Sequence, residues 1–175
     1  VVKKIAITGP ESTGKSNLAK QLAEYFQTVF VPEFARDYIN NLPRPYIQDD
    51  ILHIAENQLS DERKTIVNAS RFLFCDTDLI VTKIWSLHKY NNCHPWILEQ
   101  IEKNPYDLYL LCDIDLPWEF DDQREHPNLR PYFFNWYKKE LEHYGFPYSI
   151  VSGEGVQRIQ NAIHIINHFF GNKND

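Results

Sequence analysis

The stretch Gly9-Pro10-Glu11-Ser12-Thr13-Gly14-Lys15-Ser16 joins a short apolar run, Lys4 to Thr8, to a run with Leu18, Ala19, Leu22, Ala23 and Phe26 at helical spacing. Few folds accommodate this order. It reads as a strand, a glycine-bounded loop and an amphipathic helix, and in that context G-x-x-x-x-G-K-[ST] is a phosphate-binding loop. Gly9 and Gly14 permit backbone angles that turn several N–H groups inward, and the positive end of the following helix adds a favourable field. Lys15 is placed to reach the β and γ phosphates of a nucleoside triphosphate, and the Ser16 hydroxyl to ligate Mg²⁺. Glu11, Ser12 and Thr13 complete the nucleotide-binding stretch, whereas Asn17 beyond it receives no role. ATP and Mg²⁺ are the expected cofactors.

The rest of the chain continues the alternation. Expected strands are Thr28 to Val31, Arg71 to Cys75, Asp107 to Cys112 and Tyr148 to Val151. Expected helices run from Lys15 to Phe26, Glu33 to Asn40, Gln48 to Ala69, Leu79 to Tyr90, Pro95 to Lys103, Pro131 to Tyr144 and Val156 to Phe170, the last stopping at Gly171. Alternating strands and helices favour a parallel sheet with helices on both faces. The fold class is therefore α/β, a three-layer P-loop NTPase or kinase fold with a central parallel sheet of about five strands. Residues 113–130 break the pattern, being rich in charge and proline, and read as a mobile lid over a site. At 175 residues the chain fits one domain.

Bulk properties narrow the partners. A formal charge of −6 argues against a broad basic face for nucleic acid, so a small-molecule substrate is expected. The three cysteines, Cys75, Cys93 and Cys112, form no CxxC pair and point to reduced thiols in a cytoplasmic setting. No run is long and apolar enough for a membrane span, and the start does not resemble a signal-peptide core. The oligomeric state is left open.

Several polar residues belong at the carboxyl edge of such a sheet, where ligands bind. Asp76 follows the apolar run Phe72 to Cys75 and is the natural partner of Ser16 through Mg²⁺. Asp78 either shares that task, holds an acceptor hydroxyl, or caps the helix that starts at Leu79. Glu33 and Arg36 follow the second strand, as acceptor-site residues or as a surface ion pair. Arg124 and Arg130 either bring guanidinium groups to the transferring phosphoryl on lid closure or belong to a solvated charge run. Trp85, Trp118, Tyr46 and Tyr90 are candidates to stack on a planar base. The loop Ser152 to Arg158 either contacts adenine or carries its glycines only for the turn, and His164 and His168 share a helix face without a third metal ligand.

Taken with Pro32-Glu-Phe-Ala-Arg-Asp-Tyr38, Ile54-Ala-Glu-Asn-Gln58, Phe74-Cys-Asp-Thr-Asp-Leu-Ile-Val-Thr82, Tyr106-Asp-Leu and Asp121-Asp-Gln-Arg124, the phosphate loop resembles the ribosylnicotinamide kinase domain of NadR-like proteins over nearly the whole chain. The resemblance implies transfer of the ATP γ-phosphoryl to the 5′-hydroxyl of nicotinamide riboside, giving nicotinamide mononucleotide. It implies Lys15 and Ser16 for ATP and Mg²⁺, Asp76 or Glu33 to orient the hydroxyl, and Arg124 in the lid; Arg36, Asp78, Trp85 and Tyr46 are carried as acceptor-binding candidates. Residues for an adenylyltransferase step have no counterpart here. The alternatives are a kinase for another nucleoside or nucleotide, and a non-catalytic ATP-binding regulatory module.

Overall fold

In the computed structural model, which describes residues 1–171, five strands form one all-parallel sheet in the order β2-β3-β1-β4-β5. The strands are β1 (Lys3–Thr8), β2 (Phe30–Val31), β3 (Phe72–Asp76), β4 (Leu108–Cys112) and β5 (Tyr148–Val151). The helices are α1 (Lys15–Tyr25), α2 (Phe34–Asn40), α3 (Gln48–Thr65), α4 (Leu79–Tyr90), α5 (Pro95–Lys103), α6 (Arg130–Tyr144) and α7 (Gly155–Gly171).

Strand alternation builds two cores. Ile5 and Ile7 of β1, Phe72 and Phe74 of β3, and Leu108 and Leu110 of β4 face α1 and α7, where they meet Leu18, Leu22, Ala162 and Ile166. The intervening residues Ala6, Leu73, Cys75, Tyr109 and Leu111 face the opposite layer, with Ile51, Ala55, Leu59, Ile80, Ile84, Ile97 and Leu141. Because both faces are covered, β3 and β4 are buried at every position and read as continuous apolar runs. Cys75, Cys93 and Cys112 are free thiols buried in these layers.

The chain leaves β1 toward β2 and β3 on one side, and later crosses to β4 and β5 on the other. This reversal opens a crevice beyond the carboxyl end of β1, the switch point at which doubly wound sheets bind ligands. The register places Asp76 beside Ile7 and Leu111 beside Thr8, so the ends of β3 and β4 flank the loop that follows β1.

Most boundaries fall on or within one residue of expectation, and three departures shape the path of the chain. β2 has only two residues, because Gln27 turns with φ 50° and the Thr28 hydroxyl donates to Phe72 O at 2.6 Å instead of extending the ladder. α3 stops at Thr65 and gives way to a single 3-10 turn, Ile66–Asn68, which brings the chain into β3. β3 starts and ends one residue later than the pattern predicts, making Asp76 its last member. The expected stop at Gly171 falls at the edge of the described residues, with Gly171 itself helical.

At the far end of the sheet, Lys4 Nζ pairs with Glu62 Oε2 at 2.8 Å, and the Tyr106 hydroxyl donates to the other Glu62 oxygen. Lys4 also lies 4.3 Å from the Tyr106 ring centroid, so the buried Glu62 carboxylate is paired with a cation where it enters the core. Leu73, fully buried at mid-sheet, gives a direct measure of this packing. Leu73→Ala is expected to lower stability by about 2–5 kcal/mol, read as a reduced urea midpoint with an unchanged slope.

Candidate active site

Gly9 turns away from β1 with φ 132°, and a Cβ there would stand 3.1 Å from Cys112 O and 3.3 Å from Cys112 N. A side chain here would press on the β4 backbone and hold a φ that residues other than glycine rarely adopt. Ser12 and Gly14 also have positive φ, 56° and 75°, and this curl delivers the chain to the first turn of α1. Inside the curl the Thr13 hydroxyl donates to Pro10 O at 2.8 Å, and Lys15 Nζ donates to the same oxygen at 2.7 Å. The Lys15 ammonium thus folds back over the loop, at the position where phosphate oxygens would compete for it. Asn17 is exposed in the first turn of α1.

Asp76 is 2% exposed, and the Ser16 hydroxyl hydrogen-bonds its carboxylate. Its Oδ1 is buried without a protein partner. Burial raises the Asp76 pKa, opposed by the Ser16 hydrogen bond and by Lys15. A desolvated carboxylate with an open oxygen beside a serine hydroxyl has the donor set that Mg²⁺ uses, together with phosphate and water. Among the described residues no cluster of three or more His, Cys, Asp or Glu side chains stands ready for a metal, and His164 and His168 stack on the exposed side of α7 with centroids 6.4 Å apart.

Asp78 behaves differently. Its Oδ1 accepts from Val81 N at 3.1 Å and from the Thr8 hydroxyl at 3.1 Å, so it caps α4 and ties that helix to β1. It does not line the cavity described next.

A cavity of about 340 Å³ opens beside the phosphate loop, lined by Lys15, Glu33, Tyr46, Trp85, His126 and Tyr137 among others. Glu33 enters it from the turn before α2. Burial raises the pKa of Glu33, and nearby Asp76 adds to this, while Lys15 and Arg36 act in the opposite sense. Gln58 of α3 holds this corner together: its Oε1 accepts from Phe34 N at 2.9 Å, and its Nε2 donates to Asp76 O at 3.4 Å. Trp85 Nε1 donates to Tyr46 Oη at 2.9 Å, and the Tyr46 hydroxyl donates to Glu125 Oε1 at 2.9 Å. The two rings meet edge to face at 4.9 Å. Tyr90 stands behind them, its hydroxyl 3.5 Å from Tyr46 O.

Residues 113–130 lie across the loop and the cavity. Glu11 accepts from the backbone N–H groups of Glu125 and His126 at 3.2 and 3.1 Å, and the Ser12 hydroxyl oxygen accepts from Glu119 N at 2.9 Å. Arg36 pairs with Asp121 at 2.7 Å, so its ion-pair partner is a residue of the covering segment. Arg124 donates to Glu119 O within that segment, and Arg130 donates to Ser12 O at 3.1 Å and Leu116 O at 2.7 Å. Neither guanidinium lines the cavity, and Trp118 sits under Arg130 at 5.8 Å.

Several lining residues carried no sequence signal: Arg44, His88, His126 and Phe133. They come from four separate segments and converge only through the fold. Arg44 lies against Asp50 at 2.7 Å, and it lines the cavity together with the neighbouring Pro45.

A glycine loop after the central strand of a five-stranded parallel sheet, an acid at the end of the neighbouring strand and a covered cavity beside them define a P-loop nucleotide-binding domain. The family model described as an AAA domain matches residues 4–158, and the chain belongs to that family. It is 30% identical over 129 residues to the trifunctional NAD biosynthesis/regulator protein NadR of Salmonella typhimurium, and equally to that of Escherichia coli. The aligned part is 70% of this chain but only 31% of those relatives. Among solved structures, NadR in complex with NAD and AMP-PNP superposes with a TM-score of 0.79 at 24% identity, covering 99% of this chain and 51% of that one. NadR in complex with NR gives 0.78 at 24%, covering 97% and 52%. A deoxyadenosine kinase from M. mycoides shares the fold over 94% of this chain and 99% of its own, with a TM-score of 0.59 at 16% identity.

Burial lifts the Asp78 pKa to about 7 from 3.8, against the hydrogen bonds from Val81 N and Thr8. Between those values the folded chain keeps a proton that the unfolded chain has released, so ionisation of Asp78 lowers stability as pH rises through that window. Asp78→Asn keeps an oxygen for the helix cap and removes the ionisation. Urea midpoints should therefore shift in favour of the variant between about pH 5 and about pH 8, and a gap independent of pH would exclude this account.

Proposed function

We propose that this chain is an ATP-dependent kinase that phosphorylates the 5′-hydroxyl of nicotinamide riboside to give nicotinamide mononucleotide. The observation that carries the reading is the cavity of about 340 Å³ whose lining includes Glu33 and Lys15 together with the Tyr46–Trp85 aromatic pair. This volume suits a nucleoside more than a polymer or a large cofactor. The similarity to NadR supports the same acceptor.

In this reading the loop from Gly9 to Ser16 holds the triphosphate, and Ser16 and Asp76 hold Mg²⁺. The metal, when bound, neutralises charge on the β and γ oxygens. Glu33 is the general base. Its carboxylate takes the proton from the 5′-hydroxyl as the new O–P bond forms, the bond from the γ-phosphorus to the bridging oxygen breaks, and ADP leaves with that electron pair. The raised pKa of Glu33 moves it toward the neutral range in which a base operates best. Asp76, turned to Ser16, is thereby separated from Glu33 in role. Tyr46 and Trp85 hold the base, Arg36 secures the covering segment through Asp121, and residues 113–130 act as a lid that excludes water from the phosphoryl group. The whole chain works as one kinase domain.

The full-length match in fold to a deoxyadenosine kinase favours a second reading, in which the acceptor is another nucleoside. One experiment separates the two: a mixture of ribosides is incubated with Mg·ATP and the products are read by mass spectrometry. Nicotinamide mononucleotide as the dominant product is expected. Preferential phosphorylation of a purine or pyrimidine nucleoside would move the chain to the second reading, and ATP hydrolysis with no phosphorylated riboside would leave an ATP-binding module.

Two substitutions test the assigned roles in steady-state kinetics. Lys15→Ala is expected to abolish measurable transfer in a folded protein. Glu33→Gln should lower kcat by about 10²–10⁴-fold with little change in the KM for the riboside. Unchanged kcat in Glu33→Gln would return the base to Asp76.

A further inference from the structure

Arg158 lies on α7, outside every motif that points to phosphate, yet it is 5% exposed and its guanidinium reaches the phosphate loop. Nη2 donates to Thr13 O at 2.8 Å and to Asp113 O at 2.9 Å, while Nη1 donates to Asp115 Oδ1 at 2.7 Å and to Gly153 O at 2.9 Å. Arg130, from the start of α6, takes the preceding loop carbonyl, Ser12 O, at 3.1 Å. Two consecutive carbonyls of the loop are thus each held by a guanidinium from a different helix.

The consequence follows from peptide geometry. Among the described residues no peptide bond is cis, so in each unit of the loop the C=O and the next N–H point in opposite directions. Holding Ser12 O outward aims the Thr13 N–H inward, and holding Thr13 O outward does the same for the Gly14 N–H. We propose that Arg158 and Arg130 are positioning residues that clamp the outer, carbonyl side of the phosphate loop and so fix the direction of the amides that receive the triphosphate. Neither side chain needs to touch a phosphate. Ser12 holds φ 56°, a region that residues with a side chain seldom adopt, and it is the carbonyl of this residue that Arg130 holds.

Arg158 also joins the loop to its surroundings. Asp115 accepts from Gly153 N at 2.6 Å as well as from Arg158, and Asp113 Oδ2 accepts from the Ser152 hydroxyl at 2.7 Å. The ends of β4 and β5 and the phosphate loop are therefore tied at one guanidinium. A lysine at this position supplies charge but not the planar fork that spans two strands.

The proposal rests on the phosphate-loop reading, and the test separates the two. Mg·ATP and Mg·tripolyphosphate, which lacks a base, are titrated by calorimetry into the full chain and into Arg158→Gln, Arg158→Lys and Arg130→Gln, with nicotinamide riboside titrated separately. Arg158→Gln is expected to weaken both polyphosphates in parallel by about tenfold or more, with riboside affinity unchanged and Arg158→Lys recovering only part of the loss. A folded Arg158→Gln protein that binds both as tightly as the parent overturns the clamp. So does a loss confined to ATP, which would assign the guanidinium to the base side, and so does an equal loss of riboside, which would make it general packing. If Arg158→Gln does not fold, the partly exposed Arg130 carries the same test with the same outcomes. A parent chain that binds neither polyphosphate removes the phosphate loop and the clamp together, whereas indifferent variants of a binding parent remove the clamp alone.

Discussion

The close approach of Gly9 to the backbone of Cys112 is the constraint from which the site is built. With no Cβ at this position and φ at 132°, the loop lies against β4 without crowding and turns toward the start of α1. That same contact lies at the switch point of the sheet, so the loop, Asp76 at the end of β3 and Asp113 just past β4 share one edge. Sheet topology and loop conformation are therefore one arrangement, and loosening either would disperse the polar groups that surround the cavity.

Charge around that edge is largely paired within the protein. Lys15 faces the loop, Arg36 and Arg130 bind the covering segment from opposite sides, and Arg158 is sealed beneath. The carboxylates divide by environment. Asp50 is held far below the ordinary carboxylate range by its bidentate contact with Arg44, chiefly through that hydrogen bond, whereas Glu33 and Asp76 are raised because burial outweighs their cationic neighbours. Acids kept in different states a short distance apart are a usual way of assigning one to a metal and another to a proton.

Much of this was legible in the chain itself. The alternation of apolar runs and helical periodicity located the five strands and seven helices because burial on both faces leaves a strong signal, and α4 and α5 fell on their expected limits through Asp78 and the His94-Pro95 pair at their starts. Local chemistry also placed Gly9, Lys15, Ser16 and Asp76. What could not be read was convergence: Glu33 and Trp85 carried candidate roles, but nothing in their spacing says that they share a cavity with His126 and Phe133. Arg36 was weighed as a partner of Glu33, three residues away, and instead bonds Asp121, eighty-five residues on. Arg158 was named only as the end of a loop expected near adenine, and its bond to Thr13 O was not legible, because an arginine in an amphipathic helix looks like part of its solvated face until the fold turns it under the loop.

The three thiols buried in the two cores carry a last implication. Cys75 and Cys112 lie on the strands to either side of β1, and burial pushes the thiol of Cys112 up to about 11, that of Cys93 to about 11, and that of Cys75 well above its ordinary value. Since alkylating and oxidising reagents attack the ionised sulfur, these positions are chemically silent while the strands remain zipped. Cysteine here behaves as an aliphatic filler whose reactivity is latent, so the rate at which the sulfurs become accessible is set by opening of the layers around them and not by their intrinsic nucleophilicity.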